Sequence, residues 1–416
     1  MTRSTAMVLM VAFLAGCGTC GQVTAHRDAF REAALAEPPD SLPHVALEIP
    51  DALIDDWTKA ALGKLPDLPF NLPGLDAVQR YIGRFEFKAR SLRVELQRDQ
   101  AARFDLDLDV RQSGRTLFGM QLGAVAPVQY DKKNNQLRVA LRADMFEKIA
   151  PRIDTNAVNQ LTSAIQRQVG IPLPGGVIEG AARQGIEALS RQAYSLVRQG
   201  LLTPLGELGS FKFGLPDLPI SGLALTTTRG GWRVEARTPL AAPGLARMAD
   251  APSGRTIRMA ISAPVLARLG NWAMDKGKLP ARFDRTGKAQ DDGDFEAGLQ
   301  WNNGERPLKV NLWTIKPVQS SICMAAMVGA EPKVAFQKGQ LSVGFEDGKI
   351  EEVIGPPLFS NALDIMGITE KTFDFSKKIA TKTRLQFGSK AVGVEVAGIA
   401  LDGQALTIDL EAGGGG

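Results

Sequence analysis

The segment Phe104-Asp105-Leu106-Asp107-Leu108-Asp109-Val110 decides the fold class of this chain. Apolar and charged residues alternate at every position, and a β-strand turns successive side chains to opposite faces of its sheet. The segment therefore predicts a strand with one dry face and one wet face, which is typical of antiparallel sheets. Metal binding by the three aspartates is the alternative, but two-residue spacing along a strand favours a solvated stripe.

The same alternation continues on both sides of this segment. It is present in Leu92–Leu96, Phe118–Leu122 and Leu137–Leu141, and Lys132-Lys133-Asn134-Asn135 has the composition of a hairpin turn. The second half of the chain shows the pattern again, in Leu308–Leu312, Val334–Phe336, Leu341–Phe345, Val392–Val396 and Leu406–Leu410. The chain is therefore expected to be α+β, with long antiparallel sheets.

Helical periodicity is present between the strands. It predicts helices over 154–169 and 178–202, and shorter ones over 360–366 and 375–382. The second of these has apolar residues at three- and four-residue steps, which include Ile186, Leu189, Ala193 and Leu196. We expect 178–202 to be a long amphipathic helix that buries one face.

The two halves of the chain open alike. Alternation at Val45–Ile49 leads into a predicted helix over 51–65, and alternation at Ile257–Ile261 leads into one over 263–278. Each helix contains a tryptophan and ends in Lys-Leu-Pro. A diverged internal duplication explains this, and chance similarity between two amphipathic helix starts is the alternative. We expect modules at 44–240 and 256–412, a linker rich in Ala, Pro and Gly at 241–255, and a flexible tail at 413–416.

The amino terminus has the features of a secretory signal. Arg3 precedes an apolar run that is too short to span a bilayer, and Leu14-Ala15-Gly16-Cys17 has the pattern of a lipobox. We expect 1–16 to be removed, Cys17 to be lipidated (palmitate or similar acyl chains), and 17–43 to form a flexible tether. Gly18, where aspartate would favour inner-membrane retention, favours an outer-membrane lipoprotein facing the periplasm or the cell surface.

Composition narrows the function classes. The 44% hydrophobic and 23% charged residues are ordinary for a globular protein, and 49 Lys and Arg are interspersed with 45 Asp and Glu. No basic footprint for nucleic acid is present. The two histidines, His26 and His44, lie near the amino terminus, which disfavours histidine-dependent hydrolases and zinc sites. We predict no enzyme activity, cofactor or metal.

The other two cysteines are Cys20 and Cys323. An oxidising compartment allows a disulfide between them, but connectivity cannot be read from sequence and a flexible tether is a poor partner. The pairing stays open at this point.

The lipobox, the strand-helix opening, the long strands and the apolar-faced helix together resemble the tubular lipid-binding (TULIP) superfamily. The resemblance is carried by Leu122–Lys132 followed by alternation at Leu137–Leu141, and the double opening resembles its bactericidal/permeability-increasing branch. The resemblance implies two modules, each a curved antiparallel sheet wrapped around a long helix. It also implies a slot between them for acyl chains or sterol-like ligands.

If the resemblance holds, the chain binds and transfers a hydrophobic ligand such as a phospholipid, a lipopolysaccharide-like lipid or a sterol-like molecule. The candidate lining residues are Phe104, Leu106, Leu108, Phe118, Met120 and Leu122 on strands, and Ile186, Leu189, Ala193 and Leu196 on the helix. The same residues forming a plain core is the alternative. The competing function is a ligand-free envelope scaffold that binds a protein partner.

Overall fold

The structure of the chain is a computed structural model. It describes residues 3–63, 67–70, 85–97, 100–112, 114–131, 133–134, 136–139, 145, 152–153, 159, 163, 211–214, 218–247, 254–284, 288–316, 323–337, 340–355, 382–387 and 390–412.

The described helices are α1 (Arg3–Leu35), α2 (Asp51–Leu62) and α3 (Ala263–Asp275). The strands in the first half of the chain are β1 (Val45–Pro50), β2 (Leu68–Phe70), β3 (Phe85–Gln97), β4 (Ala101–Gln112), β5 (Arg115–Asp131), β6 (Gln136–Val139), β7 (Arg152–Ile153), β8 (Phe211–Gly214), β9 (Gly222–Thr228) and β10 (Gly231–Arg237). Those in the second half are β11 (Thr256–Ser262), β12 (Arg282–Phe283), β13 (Phe295–Trp301), β14 (Leu308–Thr314), β15 (Ala325–Gln337), β16 (Gln340–Ile354), β17 (Lys382–Phe387), β18 (Lys390–Leu401) and β19 (Ala405–Ala412).

The strands that the structure describes form three antiparallel sheets. The first-half sheet has the order β2-β3-β4-β5-β6-β8, with β7 paired to β5, and the second-half sheet is the meander β12-β13-β14-β15-β16. The third is a central sheet with the order β17-β18-β19-β11-β1-β10-β9. The predicted strands among the described residues are confirmed, and so is the turn after β5, where Asp131 accepts hydrogen bonds from the amides of Lys133 and Asn134.

The central sheet joins the two halves. The opening strands β1 and β11 lie side by side, with Val45 opposite Ile261 and Leu47 opposite Met259. Each opening strand also pairs with the last strand of its own half, β1 with β10 and β11 with β19. The two strand-helix openings therefore occupy equivalent places, since α2 starts directly after β1 and α3 directly after β11.

A charge ladder crosses this sheet on one face. Arg233, Glu48, Arg258 and Asp409 lie opposite one another on β10, β1, β11 and β19, so their signs alternate across four strands. Arg233 donates to Glu48, and the Arg258 guanidinium donates to Asp409 at 2.8 and 3.1 Å. The hydrogen bond to Asp409 raises the pKa of Arg258. Cross-strand pairs of opposite charge set the register in which the two halves meet.

The long amphipathic helix that each sheet was expected to enclose is not seen among the described residues. The helices that follow the opening strands are short, because α2 ends at Leu62 ahead of Pro66 and α3 gives way to Gly277, whose φ is 67°. The predicted helix 178–202, with Ile186, Leu189, Ala193 and Leu196, lies outside the described residues. So does most of 154–169, where the two described residues, Asn159 and Ser163, are helical. Segment 360–366 lies outside as well, and of 375–382 only Lys382 is described, as the start of β17.

The prediction of a flexible tether over 17–43 differs from the structure. Residues up to Leu35 belong to α1, which packs against β14 and β16 of the second-half sheet. Val23, Arg27 and Phe30 recur at four- and three-residue steps and so share one face of the helix. The Pro38-Pro39 pair follows the end of the helix, where continued helix would be strained.

Candidate functional site

The first-half sheet has one continuous apolar face, formed by β3, β4 and β5. Register places Phe104 between Val94 and Ala124, and Leu106 between Leu92 and Leu122. Phe104 and Leu106 are 0% exposed, and Leu108, Met120 and Leu122 are each 1% exposed. The described members of this apolar face are Phe87, Leu92, Val94, Leu96, Ala102, Phe104, Leu106, Leu108, Val110, Met120, Leu122, Ala124, Ala126 and Val128.

Five of the six strand residues predicted to line a groove are therefore brought together on the apolar face. The backbone of Phe118, the sixth, lies opposite Val110 in the same register. The four predicted helix residues lie outside the described part of the chain. Complete burial is expected of core residues and of residues that line a closed slot, so both interpretations of these five side chains remain.

Helix α2 is the described helix that contacts β3 of this sheet. It packs against β3, with Leu53 and Ile54 buried beneath it. A helix of 12 residues is about 18 Å long, whereas a strand of 12 residues such as β4 is about 40 Å long. The strands of the apolar face are thus about twice as long as α2.

The opposite face of the same strands is polar, as the alternation predicts. Arg103 donates to both carboxylate oxygens of Asp105, at 3.2 and 3.0 Å, and this hydrogen bond raises the pKa of Arg103. Ser91 donates to Asp107, and Thr116 donates to Asp109 at 3.4 Å. Asp109 is only 7% exposed, so the stripe is less solvated than expected. No group of three or more potential metal ligands was found in the described part of the chain.

The second-half sheet carries α1 on one face. Cys20 of α1 forms a disulfide with Cys323, just before β15. Val23 is 2% exposed and packs with Trp313, Ala325 and Phe30. The pairing that the sequence left open is therefore present in the structure.

Polar contacts and a close approach hold α1 in place along its length. The Trp313 indole N–H donates to His26 Nδ1 at 2.9 Å, and the Phe30 and Trp313 rings are 4.9 Å apart at a 58° tilt. Arg31 forms an ion pair with Glu296 of β13. A Cβ at Gly298 would lie 2.7 Å from the Phe30 ring, so only glycine allows this approach.

His44 lies where the two halves meet. Its ring is 0% exposed, and its Nδ1 accepts a 3.2 Å hydrogen bond from the Thr238 amide and lies 2.6 Å from the Thr238 hydroxyl. Burial lowers the pKa of His44. The Ser262 amide donates to the His44 carbonyl, and the Leu245 amide donates to that of Pro43. Residues before β1, after β10 and at the end of β11 are thereby tied together.

The sequence did not predict the contacts of His26 and His44. It also did not predict that α1 covers the face of β14 that contains Trp313. The spacing of Val23, Arg27 and Phe30 was a signal for an amphipathic helix. No local signal identified Trp313 or Glu296 as its partners, because they lie more than 260 residues away along the chain.

Cys17, the predicted lipidation site, lies in α1 three residues before Cys20. The structure describes the side chains of this helix from Thr19 onward. None of the helices in the described ranges is long and apolar enough to cross a membrane.

No family model matches the chain, and no curated protein matches it. Among solved structures, the chain is similar to P47 of Clostridium botulinum E1, with a TM-score of 0.42 and 8% identity over 89% of this chain and 99% of that one. It is equally similar to P47 from Clostridium botulinum A2, with the same TM-score and identity over 89% and 97%. A lipopolysaccharide binding protein matches with a TM-score of 0.26 and 11% identity over 89% of this chain and 99% of that one. These values assign neither a family nor a function, so the TULIP assignment stays a prediction.

Proposed function

We propose that this chain is an envelope lipoprotein that binds, and transfers between membranes, a hydrophobic ligand such as a phospholipid, a lipopolysaccharide-like lipid or a sterol-like molecule. The observation that carries the proposal is the apolar face of β3, β4 and β5. It is continuous over the described strands, its described apolar side chains are buried, and its strands are longer than the helix α2 that packs against β3. A ligand tail would lie against Phe104, Leu106 and Leu122, along the strands.

The energetics suit exchange with a bilayer. Removing a tail of about sixteen carbons from water contributes on the order of 12 kcal/mol before ordering costs. A bilayer offers a similar gain, so transfer between bilayer and slot is nearly balanced and requires no energy source.

The proposed location is the outer membrane, with acyl chains on Cys17 and the body in the periplasm or at the cell surface. The lipobox supports the anchor, and the Cys20–Cys323 disulfide supports an oxidising compartment. We propose no enzyme activity, because both histidines are engaged within the fold, His26 with Trp313 and His44 with Thr238.

A ligand-free scaffold for an envelope protein partner is the second candidate. The observation that favours it is the same burial, because Phe104, Leu106 and Leu122 are as enclosed as the residues of a solid core. The two candidates differ in whether a lipid ever reaches the apolar face.

Site-specific photo-crosslinking distinguishes them. A diazirine analogue of leucine replaces Leu122, and in a matched variant it replaces Val125 on the same strand, which is 39% exposed. Both proteins are expressed with Cys17→Ser, purified without detergent, incubated with phospholipid vesicles and irradiated. We expect lipid adducts by mass spectrometry at position 122 and few at 125. Equal labelling, or no adduct at 122 together with lipid-free organic extracts of the protein, would support the scaffold.

A further inference from the structure

The disulfide limits how far the folded part of the chain can lie from a lipid anchor at Cys17. Cys20 is covalently bonded to Cys323, so the anchor position is only three steps along the chain from a cysteine that is attached to the second-half sheet. Three residues span at most about 11 Å even when fully extended. A flexible tether of the length expected from sequence would have allowed two to three times that distance.

Noncovalent contacts along α1 reinforce this limit. Beyond Cys20, Val23 is buried against Trp313, and further along the helix Arg31 pairs with Glu296. The helix then continues to Ala33, whose carbonyl oxygen lies 3.5 Å from an Arg268 guanidinium nitrogen of α3. Fifteen residues of helix, about 22 Å, therefore lie between the disulfide and the junction of the two halves.

The disulfide identifies one end of the strands of the second-half sheet. Phe295 lies opposite Thr314, Trp313 opposite Ala325, and Ala325 opposite Ile354, so these strand ends are at the same edge as Cys323. We call this surface, formed by the ends of β13 to β16 near Cys323, the Cys323 edge. The turn before β13, with the exposed residues Asp291 and Asp292, lies at this edge, and Lys316 donates to the Asp292 carbonyl at 2.8 Å. The opposite edge contains the turn between β13 and β14, with exposed Glu305.

We infer that the Cys323 edge is the membrane-proximal surface of the protein, held against the headgroups of the bilayer that takes up the acyl chains of Cys17. This inference rests on the proposed anchor and adds the orientation of the body. The edge lies beside the headgroups and does not enter the hydrocarbon region, because Asp291 and Asp292 are exposed there and charges in that region are costly.

Distance-dependent quenching tests the orientation in the acylated full chain. Asp292→Cys and Glu305→Cys each add one thiol for an environment-sensitive fluorophore, since the disulfide occupies Cys20 and Cys323 and acylation occupies Cys17. The two positions flank a strand of seven residues, about 20 Å long. Both proteins are reconstituted into phosphatidylcholine vesicles with a nitroxide either on the headgroup or deep in the acyl chain.

We expect the headgroup nitroxide to quench the probe at 292 more strongly than the probe at 305, and the deep nitroxide to quench neither strongly. In a Cys20→Ser/Cys323→Ser background we expect the difference between the two probes to shrink, because α1 can then leave the sheet. Circular dichroism of each variant confirms that the fold persists.

Equal quenching at 292 and 305, or stronger quenching at 305, in protein shown by mass spectrometry to carry acyl chains would overturn the orientation and leave the anchor standing. An unmodified Cys17 in protein recovered from membranes would overturn both. Photo-crosslinking at position 122 is unaffected by either result, so failure of the ligand-binding proposal is measured separately.

Discussion

The two long sheets of the molecule are covered in different ways. In β4 of the first half, the apolar side chains are buried while Asp105 and Asp107 on the other face are partly exposed. In β14 of the second half, both faces are buried, and α1 covers the face that contains Trp313. The second sheet thus has an added layer that is held to it by a disulfide.

This difference shows what alternation can and cannot predict. The segment Leu308–Thr314 alternates apolar and polar residues much as 104–110 does, so both are correctly predicted as strands. Polar side chains at alternate positions of a strand do not by themselves keep that face of the sheet exposed to solvent. Asn311 is 1% exposed and Lys309 is 8% exposed, and Lys309 pairs with Glu351. The first half should therefore depend mainly on its apolar face, and the second half also on α1.

The largest effect should come from the apolar face. We expect Phe104→Ala to lower the free energy of unfolding by about 4 kcal/mol, because the ring is 0% exposed and its loss leaves a cavity. Chemical denaturation followed by circular dichroism measures this change. Val125→Ala is the matched control, since Val125 is 39% exposed on the adjacent strand, and should change stability by no more than about 0.5 kcal/mol. Similar transition midpoints for the two variants would contradict a packed face.

The second-largest effect on stability should come from the attachment of α1 to the second-half sheet. We expect Cys20→Ser/Cys323→Ser to lower the free energy of unfolding by about 3 kcal/mol, the size of a typical disulfide contribution, because the bond restricts the unfolded chain. Denaturation with and without reductant provides the control. Reductant should destabilise the wild type by a similar amount and leave the double variant unchanged. A wild type that is insensitive to reductant would show that the disulfide does not form.

Much of the fold could be predicted from local patterns. Strands β3 to β5 and the starts of α2 and α3 follow from alternation and helix-start signals. The central sheet could not be predicted, because it pairs Val45 with Ile261, and no local pattern specifies a partner more than 200 residues away. Its hairpin β9–β10 has a local signal, a short alternation on both sides of Arg229-Gly230.

The residues of the candidate site, too, were predictable from the sequence only where a local pattern specifies them. The strand residues of the apolar face were predicted because one strand period places them together. The contacts of His26 and the Cys20–Cys323 pair depend on tertiary placement of α1. Small residues and the Pro38-Pro39 pair favoured a tether, although buried contacts with Trp313 can order such a segment.

A smaller effect tests whether the contact between His26 and Trp313 matters beyond packing. Trp313→Phe keeps an aromatic ring but removes the indole N–H that donates to His26. In a double-mutant cycle with His26→Ala, we expect a coupling energy of about 1 kcal/mol, measured by chemical denaturation. A coupling energy near zero would mean that Trp313 holds α1 through Val23 and Phe30 alone.

The smallest effect is the pH dependence of stability that buried His44 causes at the junction of the two halves. Burial lowers the pKa of His44, so the folded protein binds a proton there more weakly than the unfolded chain does. Above the unfolded pKa of about 6.5 both states are neutral at this site and stability is unaffected. As pH falls below that value, the unfolded chain takes up the proton first and the folded state loses stability, until His44 titrates in the folded protein. We expect denaturation midpoints to fall between about pH 7.5 and 5.5, where most carboxylates stay ionised. His44→Asn keeps an acceptor for the Thr238 amide and should flatten the profile. An unchanged slope in His44→Asn would place the titrating group elsewhere than the junction of the two halves.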